Sequence, residues 1–548
     1  MDRAAQMFPV LTPAQVDRIA RLGRRREVHA GEVLFDWGEQ NTAFFVVLSG
    51  EMQVVRRIGE REEPVVVHRA GQFTGEINML SARRSLARGR MIEDGSVIQV
   101  DRDGLRALVQ RDAELSEILL RAFILRRVAF MAEDTNDLVL LGSRHSGSTT
   151  RIREFLSRNG QPFTYQDVET DPSVQQMLDR FHIAVDEVPV VLCQGGHVFR
   201  NPSIEALSSK LGLTTQLDPK DVRDVVIVGA GPAGLAAAVY AASEGLDVLV
   251  LESSAPGGQA GSSSHIENYL GFPTGISGQA LAGRALVQAE KFGAEVSIAR
   301  TAARIDCAHH PYRVHLEGGE EVLTRTIVIA SGVHYRKLEL ASVERFEGAG
   351  IFYSATHLEG QLCKGEEIAI VGGGNSAGQA AVFLSGLARR VHVLVRGRGL
   401  AESMSRYLVQ RIEDAPNVVL RTRTQIETLE GTDGLQRIEW RHLDSGDRET
   451  HEIRNLFVMT GADPHTAWLE GCVALDAKRF VKTGADLLPE DLDAVHWRLP
   501  RRPHLMETSV PGVYCVGDAR ANSVKRVASA VGEGSVCVQL VHGALQEL

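Results

Sequence analysis

The sequence predicts a multidomain chain: an antiparallel β-roll, a small βαβαβ unit, and two parallel-sheet nucleotide-binding units. Three observations carry this. Short β-branched runs separated by regularly placed glycines fill the first hundred residues, a strand–helix alternation follows, and a strand, glycine-rich turn and helix recur twice beyond residue 220. At 548 residues the chain has room for roughly three or four domains, because single cores stop growing beyond about 250–300 residues. An apolar content of 44%, a charged content of 24% and a net charge of −10 predict a globular protein with no global attraction to nucleic acid or an anionic membrane. The opening Met1-Asp2-Arg3 lacks a signal peptide's apolar stretch. The six cysteines (Cys193, Cys307, Cys363, Cys472, Cys515, Cys537) are scattered, with neither a CxxC pair nor metal-ligand spacing. A cytoplasmic, reducing setting and no bound metal are therefore expected.

Residues 1–133 form the first unit. The runs Glu32–Phe35, Phe44–Leu48, Met52–Val55 and Val65–Val67 are punctuated by Gly31, Gly38, Gly50, Gly59 and Gly71, which predicts an antiparallel roll. Gly75-Glu76-Ile77-Asn78-Met79-Leu80 and then Arg84-Ser85-Leu86-Ala87 follow. This order resembles the phosphate-binding cassette of cyclic-nucleotide-binding domains, as found in catabolite activator proteins and cyclic-nucleotide-dependent kinases. The resemblance implies a cyclic nucleotide, cAMP or cGMP, with Gly75 supplying backbone N–H groups, Arg84 and Ser85 the cation and hydroxyl, and Glu76 an acceptor for the ribose. Leu86 departs from the family's small residue and crowds the expected pocket; the alternative is a scaffold without a ligand. Apolar residues from Leu115 to Ala129 at helical spacing predict one amphipathic helix over Asp112–Met131. Its counterpart in the activator family pairs subunits, so a homodimer is expected. No helix-turn-helix pattern follows, which removes the DNA-reading part.

Residues 137–215 read as a strand (Asp137–Leu141), a loop (Ser143–Thr149), a helix (Thr150–Arg158), a strand near Phe163–Val168, a helix through Val174–Phe181 and a strand over Val188–Leu192. This pattern, with Val188-Pro189-Val190, is similar to glutaredoxin and thioredoxin. The resemblance implies a cis-proline at Pro189 facing a redox pair. Ser146-Gly147-Ser148-Thr149 stands where that pair would lie, and hydroxyls cannot perform thiol–disulfide exchange. The module is expected to be redox-dead, with a docking or structural role, and Cys193 is expected to be packed.

Two nucleotide-binding units complete the chain. Asp224–Val228 runs into Gly229-Ala230-Gly231-Pro232-Ala233-Gly234 and a helix, and Glu252 ends the next strand. The glycines permit the tight turn, close approach to a pyrophosphate and close helix packing, while the acid can accept a ribose hydroxyl; this is a Rossmann-like fingerprint. A second copy runs from Glu367–Val371 through Gly372-Gly373-Gly374 to Asn375, Ser376 and Ala377. Pro256-Gly257-Gly258-Gln259, Asn268, Ile329–Gly332 and Gly512–Asp518 complete an ordered set that resembles the low-molecular-weight thioredoxin reductases over about 320 residues. The resemblance implies FAD on residues 224–338 and 462–548, with Gly258, Gln259 and Asn268 near the ring system, Gly517 and Asp518 by the ribityl chain, and Arg526 and Val527 facing the flavin. It implies NADP on the inserted 339–461. Arg396 and Arg398 follow the strand Val391–Val395, where an NAD enzyme places an acid, so NADPH is expected over NADH.

The reductase family's redox CxxC is replaced by Ser354-Ala355-Thr356-His357. Ser354 offers no sulfur to accept electrons, while His357 is a candidate proton donor. The expected function is therefore a cyclic-nucleotide-responsive, FAD-dependent NADPH oxidoreductase that passes electrons to an unidentified non-thiol acceptor such as oxygen, a quinone or a ferredoxin-like protein. Two alternatives remain: a thioredoxin-disulfide reductase that uses a partner's cysteines, and a flavin-based redox sensor.

Overall fold

The structure is a computed structural model that describes residues 6–548 except 41, 59–60, 76–78, 80–83, 86, 133–137, 145, 169–186, 194–196, 264, 341, 356, 401–403, 433, 496 and 498. Side chains are likewise described except at 57–58, 127–132, 335 and 357–358. The predicted helix over Val174–Phe181 and the candidate Glu76 lie outside the described residues.

Helix α1 (Pro13–Ala20) precedes strands β1 (Arg24–Val28), β2 (Val33–Phe35), β3 (Phe44–Ser49), β4 (Met52–Ile58), β5 (Arg61–His68), β6 (Arg88–Met91) and β7 (Gly95–Val100). They make two antiparallel sheets, β1-β7-β3 and β2-β6-β4-β5. The punctuating Gly31, Gly38, Gly50 and Gly71 all adopt positive φ between 71° and 85°, the backbone state that only glycine enters without strain. Helices α2 (Arg102–Arg111) and α3 (Ala113–Ala132) close the roll. Phe123 of α3 meets Phe44 and Phe73 of the roll, each at 6.3 Å between ring centroids, within aromatic pairing distance.

The next unit is a four-stranded sheet in the order β11-β10-β8-β9, built from β8 (Val139–Gly142), β9 (Thr164–Asp167), β10 (Val190–Cys193) and β11 (His197–Arg200). Strands β8 and β9 are parallel, and β10 runs antiparallel to both β8 and β11. The Val188–Pro189 peptide is cis. Helix α4 covers Gly147–Arg158 and starts three residues before its predicted first turn. The cause is Ser146, whose hydroxyl accepts the Thr149 N–H as an N-cap.

Beyond residue 220, β12 (Val222–Val228), α5 (Pro232–Ser243), β13 (Val248–Glu252), α6 (Gly278–Phe292) and β14 (Glu295–Ile298) wind one parallel sheet. A meander of β15 (Ala302–Asp306), β16 (Tyr312–Leu316) and β17 (Glu321–Ile329) returns the chain beside β12. The chain leaves through β18 (Val333–Tyr335) and builds a second parallel sheet, β19-β26-β20-β21-β22. That sheet comprises β19 (Ile351–Phe352), β20 (Glu367–Val371), β21 (Arg390–Leu394), β22 (Val418–Arg421) and β26 (Asn455–Val458), with helices α7 (His357–Leu362) and α8 (Asn375–Ser385) between its first strands. Strands β23 (Thr424–Glu430), β24 (Arg437–His442) and β25 (Arg448–His451) form an antiparallel arm. The chain returns through β27 (Ala462–Pro464), which pairs with β18, and finishes the first sheet with β28 (Val513–Cys515) beside β17. The second sheet is thus an insertion hung on a two-stranded ribbon. No described helix is long and apolar enough to cross a membrane.

The final helix, α9 (Val527–Glu547), crosses α5 closely. A Cβ on Gly534 would collide with the Ala233 carbonyl oxygen, and backbone cannot yield as a flexible side chain would. Gly534→Ala is expected to destabilise the domain by about 1–3 kcal/mol through overpacking, measured as a lowered urea midpoint with an unchanged slope.

Candidate functional site

The first strand of each nucleotide-binding sheet ends in a glycine turn, and both turns open onto one cleft of about 2010 Å³. That exceeds the roughly 300–1,000 Å³ of an ordinary ligand pocket, and residues of both glycine turns line it. Gly229 and Gly231 line the cleft. At Gly229 φ is +107° and a Cβ would collide with the Ala330 carbonyl oxygen, so that turn tolerates glycine alone. Gly234 lies behind the cleft, where a Cβ would strike the Gly229 carbonyl oxygen; it sets how closely α5 packs on its strand. Helix α5 therefore points its unsatisfied N–H groups into the cleft, an arrangement suited to a pyrophosphate.

Glu252 ends β13 facing the cleft. Its Oε2 accepts from the Ala230 N–H at 2.8 Å, and its Oε1 from Ser254 at 2.9 Å and Ala255 at 3.1 Å. A carboxylate has about four lone-pair sites, so a ribose hydroxyl can join the set. Gly258, Gln259, Asn268, Gly517, Asp518, Arg526 and Val527 line the same wall. Gln259 donates through Nε2 to the Val333 carbonyl at 3.0 Å, and its Oε1 is buried without a partner. An orphaned buried acceptor costs free energy unless a ligand donor meets it, so the residues present fit a bound flavin ring. Burial pushes the Asp518 carboxyl up, opposed by nearby Lys525. Arg300, His465 and Trp468 also face the cleft; sequence reasoning missed them because no local motif marks them.

In the inserted domain, Gly372, Gly374, Asn375, Ser376 and Arg396 line the cleft, whereas Ala377 is buried behind it and Arg398 is not among the lining residues. Asn375 Oδ1 accepts the Ser405 N–H at 2.7 Å, which fixes the loop beside the fingerprint. Tyr353 and Ser354 reach the cleft, and the Tyr353 hydroxyl donates to Glu347 at 2.6 Å. His357 begins α7; its side chain lies outside the described residues.

Helix α4 forms a further wall. Thr150 donates to the Gly348 carbonyl at 3.2 Å, and Arg158 to the Gly258 carbonyl at 3.1 Å. The Glu154 carboxyl is pushed up to about 7, first by burial and then by Glu359 of α7, with which it also hydrogen-bonds. Two carboxyls in that contact need a shared proton.

The phosphate cassette is a separate site. Gly75 has φ +112°, and a Cβ there would lie 2.8 Å from both Met79 Sδ and the Phe123 ring. Its carbonyl accepts Nη1 of Arg126 at 2.8 Å. Arg126, on α3, was not singled out by sequence. Its Nη2 is buried without a partner, and burial lowers its pKa to about 9. The Ser85 hydroxyl donates to the Ala87 carbonyl at 2.9 Å. Arg84 packs on the chain leading to the first nucleotide-binding sheet, with Cγ 3.0 Å from where a Gly212 Cβ would stand.

The scattered-cysteine expectation needs one correction. Cys307 and Cys472 are bonded to each other, 165 residues apart in sequence, and such a pairing leaves no local signature.

Two fingerprint turns facing one cleft define a nicotinamide-dependent flavoprotein oxidoreductase. The pyridine nucleotide-disulphide oxidoreductase model matches residues 223–534, and a cyclic nucleotide-binding domain model matches 25–112. The chain is 31% identical over 360 residues to NADPH-dependent thioredoxin reductase 3 of Arabidopsis thaliana, covering 62% of this chain and 64% of that protein. It is 28% identical over 332 residues to thioredoxin reductase of Bacillus subtilis, covering 61% and 98%. The crystal structure of Lactococcus lactis thioredoxin reductase in its FR conformation superposes with a TM-score of 0.53 at 27% identity, covering 60% of this chain and 100% of that one. The chain belongs to the pyridine nucleotide-disulphide oxidoreductase family and is an NAD(P)H-dependent oxidoreductase; FAD and NADPH are the cofactors of its thioredoxin-reductase-like branch.

Arg396 is the exposed cation at the fingerprint's second strand end. On the reading that Arg396 meets the 2′-phosphate, Arg396→Ala is expected to cut kcat/KM for NADPH roughly tenfold or more while leaving NADH little changed, as loss of a charge-assisted bond would. Steady-state kinetics with both nucleotides checks this.

Proposed function

We propose that this protein oxidises NADPH, reduces FAD and passes the electrons to a non-thiol acceptor, under control of a cyclic nucleotide. The observation that carries the acceptor assignment is the cleft wall at Ser354: among the described residues no cysteine lines the cleft. Cys363, at the end of the following helix, is fully buried, and burial with Glu359 and Glu366 pushes its thiol up to about 12. A thiol so rarely ionised is a poor nucleophile. When bound, the flavin supplies the hydride and electron-transfer chemistry. The chain's residues do the rest: the Gly229 and Gly372 turns admit the two pyrophosphates, Gln259 orients the ring system, and Asp518 holds the ribityl chain. Arg396 selects the 2′-phosphate.

Control by a cyclic nucleotide is supported by two features of the cassette. The orphaned Nη2 of Arg126 lies behind Gly75, where an anion would be welcome. Arg84 touches Gly212, and the chain just beyond it is tied to the flavin sheet: Leu213 O accepts the Ile298 N–H at 3.1 Å, and Thr215 O accepts from Arg300 at 3.3 Å. The central module is read as thioredoxin-like on its strand order and directions, with Ser146 as a helix cap where a redox cysteine would stand.

A flavin-based redox sensor is the second reading, favoured by α4 of that module, capped by Ser146, forming part of the cleft wall. Turnover separates the two, since a sensor reduces its flavin once and stops.

Under anaerobic NADPH titration the oxidised-flavin absorbance is expected to vanish; in a following panel of acceptors, added thioredoxin is expected not to be reduced and turnover to be sustained with a quinone, a ferredoxin or, once air is admitted, oxygen. Robust thioredoxin reduction that survives mutation of Cys193 and Cys363 would overturn the assignment. The double variant Ser354→Cys/His357→Cys gaining disulfide reductase activity would show that the surrounding machinery is retained.

Titration calorimetry is expected to give heat with cAMP or cGMP, and Arg84→Ala is expected to cost about 2–5 kcal/mol of binding if its charge pair is desolvated. No heat with either nucleotide in the parent protein would eliminate the ligand.

A further inference from the structure

Cys307 and Cys472 lie on either side of the inserted nicotinamide domain. Their Cα atoms are 6.1 Å apart, inside the roughly 4.4–6.8 Å that a disulfide spans. The loop that the bond closes contains the whole insertion, from β18 to β27. The flavin domain is discontinuous, and the bond is the covalent tie between its two halves.

Both segments held by this tie also reach the cleft. Cys307 directly follows β15, whose first residue, Ala302, lines the cleft beside Arg300 and Thr301. Cys472 follows the turn that carries Trp468 and, before it, His465, both cleft residues. That turn is anchored to the flavin sheet: Ser331 donates to the His465 carbonyl at 2.8 Å, and the His465 N–H donates to Gly332. Neither cysteine lines the cleft, so the pair is not the flavin's electron outlet. Both are half-buried on the rim of the core containing Val226 and Ile327, not within it. By contrast Cys363, Cys515 and Cys537 are buried.

We propose that Cys307–Cys472 is a reversible disulfide that, when closed, braces the two halves of the flavin domain and retards release of FAD, and when opened loosens that hold. This rests on reading the cleft as the flavin site. The chemistry needs a low-molecular-weight thiol of the glutathione class. Its thiolate attacks one cysteine sulfur, the S–S bond breaks, and the other cysteine leaves as a thiolate that takes a proton. A second small thiol attacks the mixed disulfide, frees the remaining cysteine and leaves as the oxidised small disulfide. Two electrons and two protons pass to the cysteine pair, and oxidised glutathione runs the sequence backwards.

The test uses the full-length holoprotein. It is equilibrated with oxidised glutathione, denatured in excess alkylating agent and mapped by peptide mass, in parallel with a sample reduced by dithiothreitol. The expected result is that Cys307 and Cys472 resist alkylation before reduction and take label after it, while the other four cysteines are labelled in both samples. Melting followed by flavin fluorescence is expected to show release roughly 4 °C or more lower in the reduced parent. Cys307→Ser and Cys472→Ala are each expected to melt like the reduced parent and to ignore the reductant. The comparison of oxidised and reduced parent needs no variant and stands if either variant fails to fold. Bound flavin with all six thiols labelled before reduction overturns the disulfide alone. Unchanged flavin release with a mapped disulfide overturns its bracing role. Absence of bound flavin overturns the cofactor reading and the retention claim with it.

Discussion

The structure depends on backbone approaching backbone where no Cβ can stand. At Gly229, Gly234, Gly372 and Gly534 the neighbouring atom is a main-chain carbonyl oxygen, from Ala330, Gly229, Met459 and Ala233 respectively. The first and third contacts form the turns that expose helix N-termini to the cleft; the second and fourth pack α5 closely against its own turn and against α9. A main-chain carbonyl cannot swing aside, so these contacts are stiff. The two fingerprint turns on the cleft take their position from that frame.

The central module adds a second constraint because it touches both halves of the cleft. Helix α4 bonds to Gly348 at the start of the insertion and to Gly258 in the flavin loop, and Asn159 donates to the Ser254 carbonyl at 3.0 Å. The same helix carries Glu154, paired with Glu359 on α7. Since the Glu154 pKa is raised above its ordinary value, the contact is strongest with the shared proton present and weakens as pH rises through about 7. A helix joined to both walls resists their relative motion, whatever its ancestry.

The fold was largely legible in the sequence, and the reason is locality. The fingerprint at Gly229–Gly234 and the turn glycines of the roll declare a backbone state within a few residues, and strand and helix periods read directly from side-chain order. Helix α4 was misjudged at its start because Gly147-Ser148-Thr149 looks like a loop until Ser146 is seen to cap it. What stayed hidden is what depends on residues far apart in the chain. Arg126 sits 51 residues from the glycine whose carbonyl it holds, Glu154 meets a residue of another domain, and Cys307 finds Cys472 across an entire inserted domain. None of these leaves a pattern in a short window.

Ser146 and Ser354 each place a hydroxyl where the proposed reading looks for a redox sulfur. At Ser146 the hydroxyl satisfies a helix N–H, a task a thiol does poorly, and a hydroxyl carries no thiol–disulfide chemistry. Ser354 stands on the cleft wall next to Tyr353, whose hydroxyl donates to Glu347. A hydroxyl there leaves the wall's volume nearly unchanged but cannot form the sulfur–flavin contact or the following disulfide. Both fingerprint turns still face the cleft, and under the proposed non-thiol outlet the acceptor would have to come to the flavin edge itself. Helix α4, whose residues form part of the cleft wall, would then share in deciding what enters.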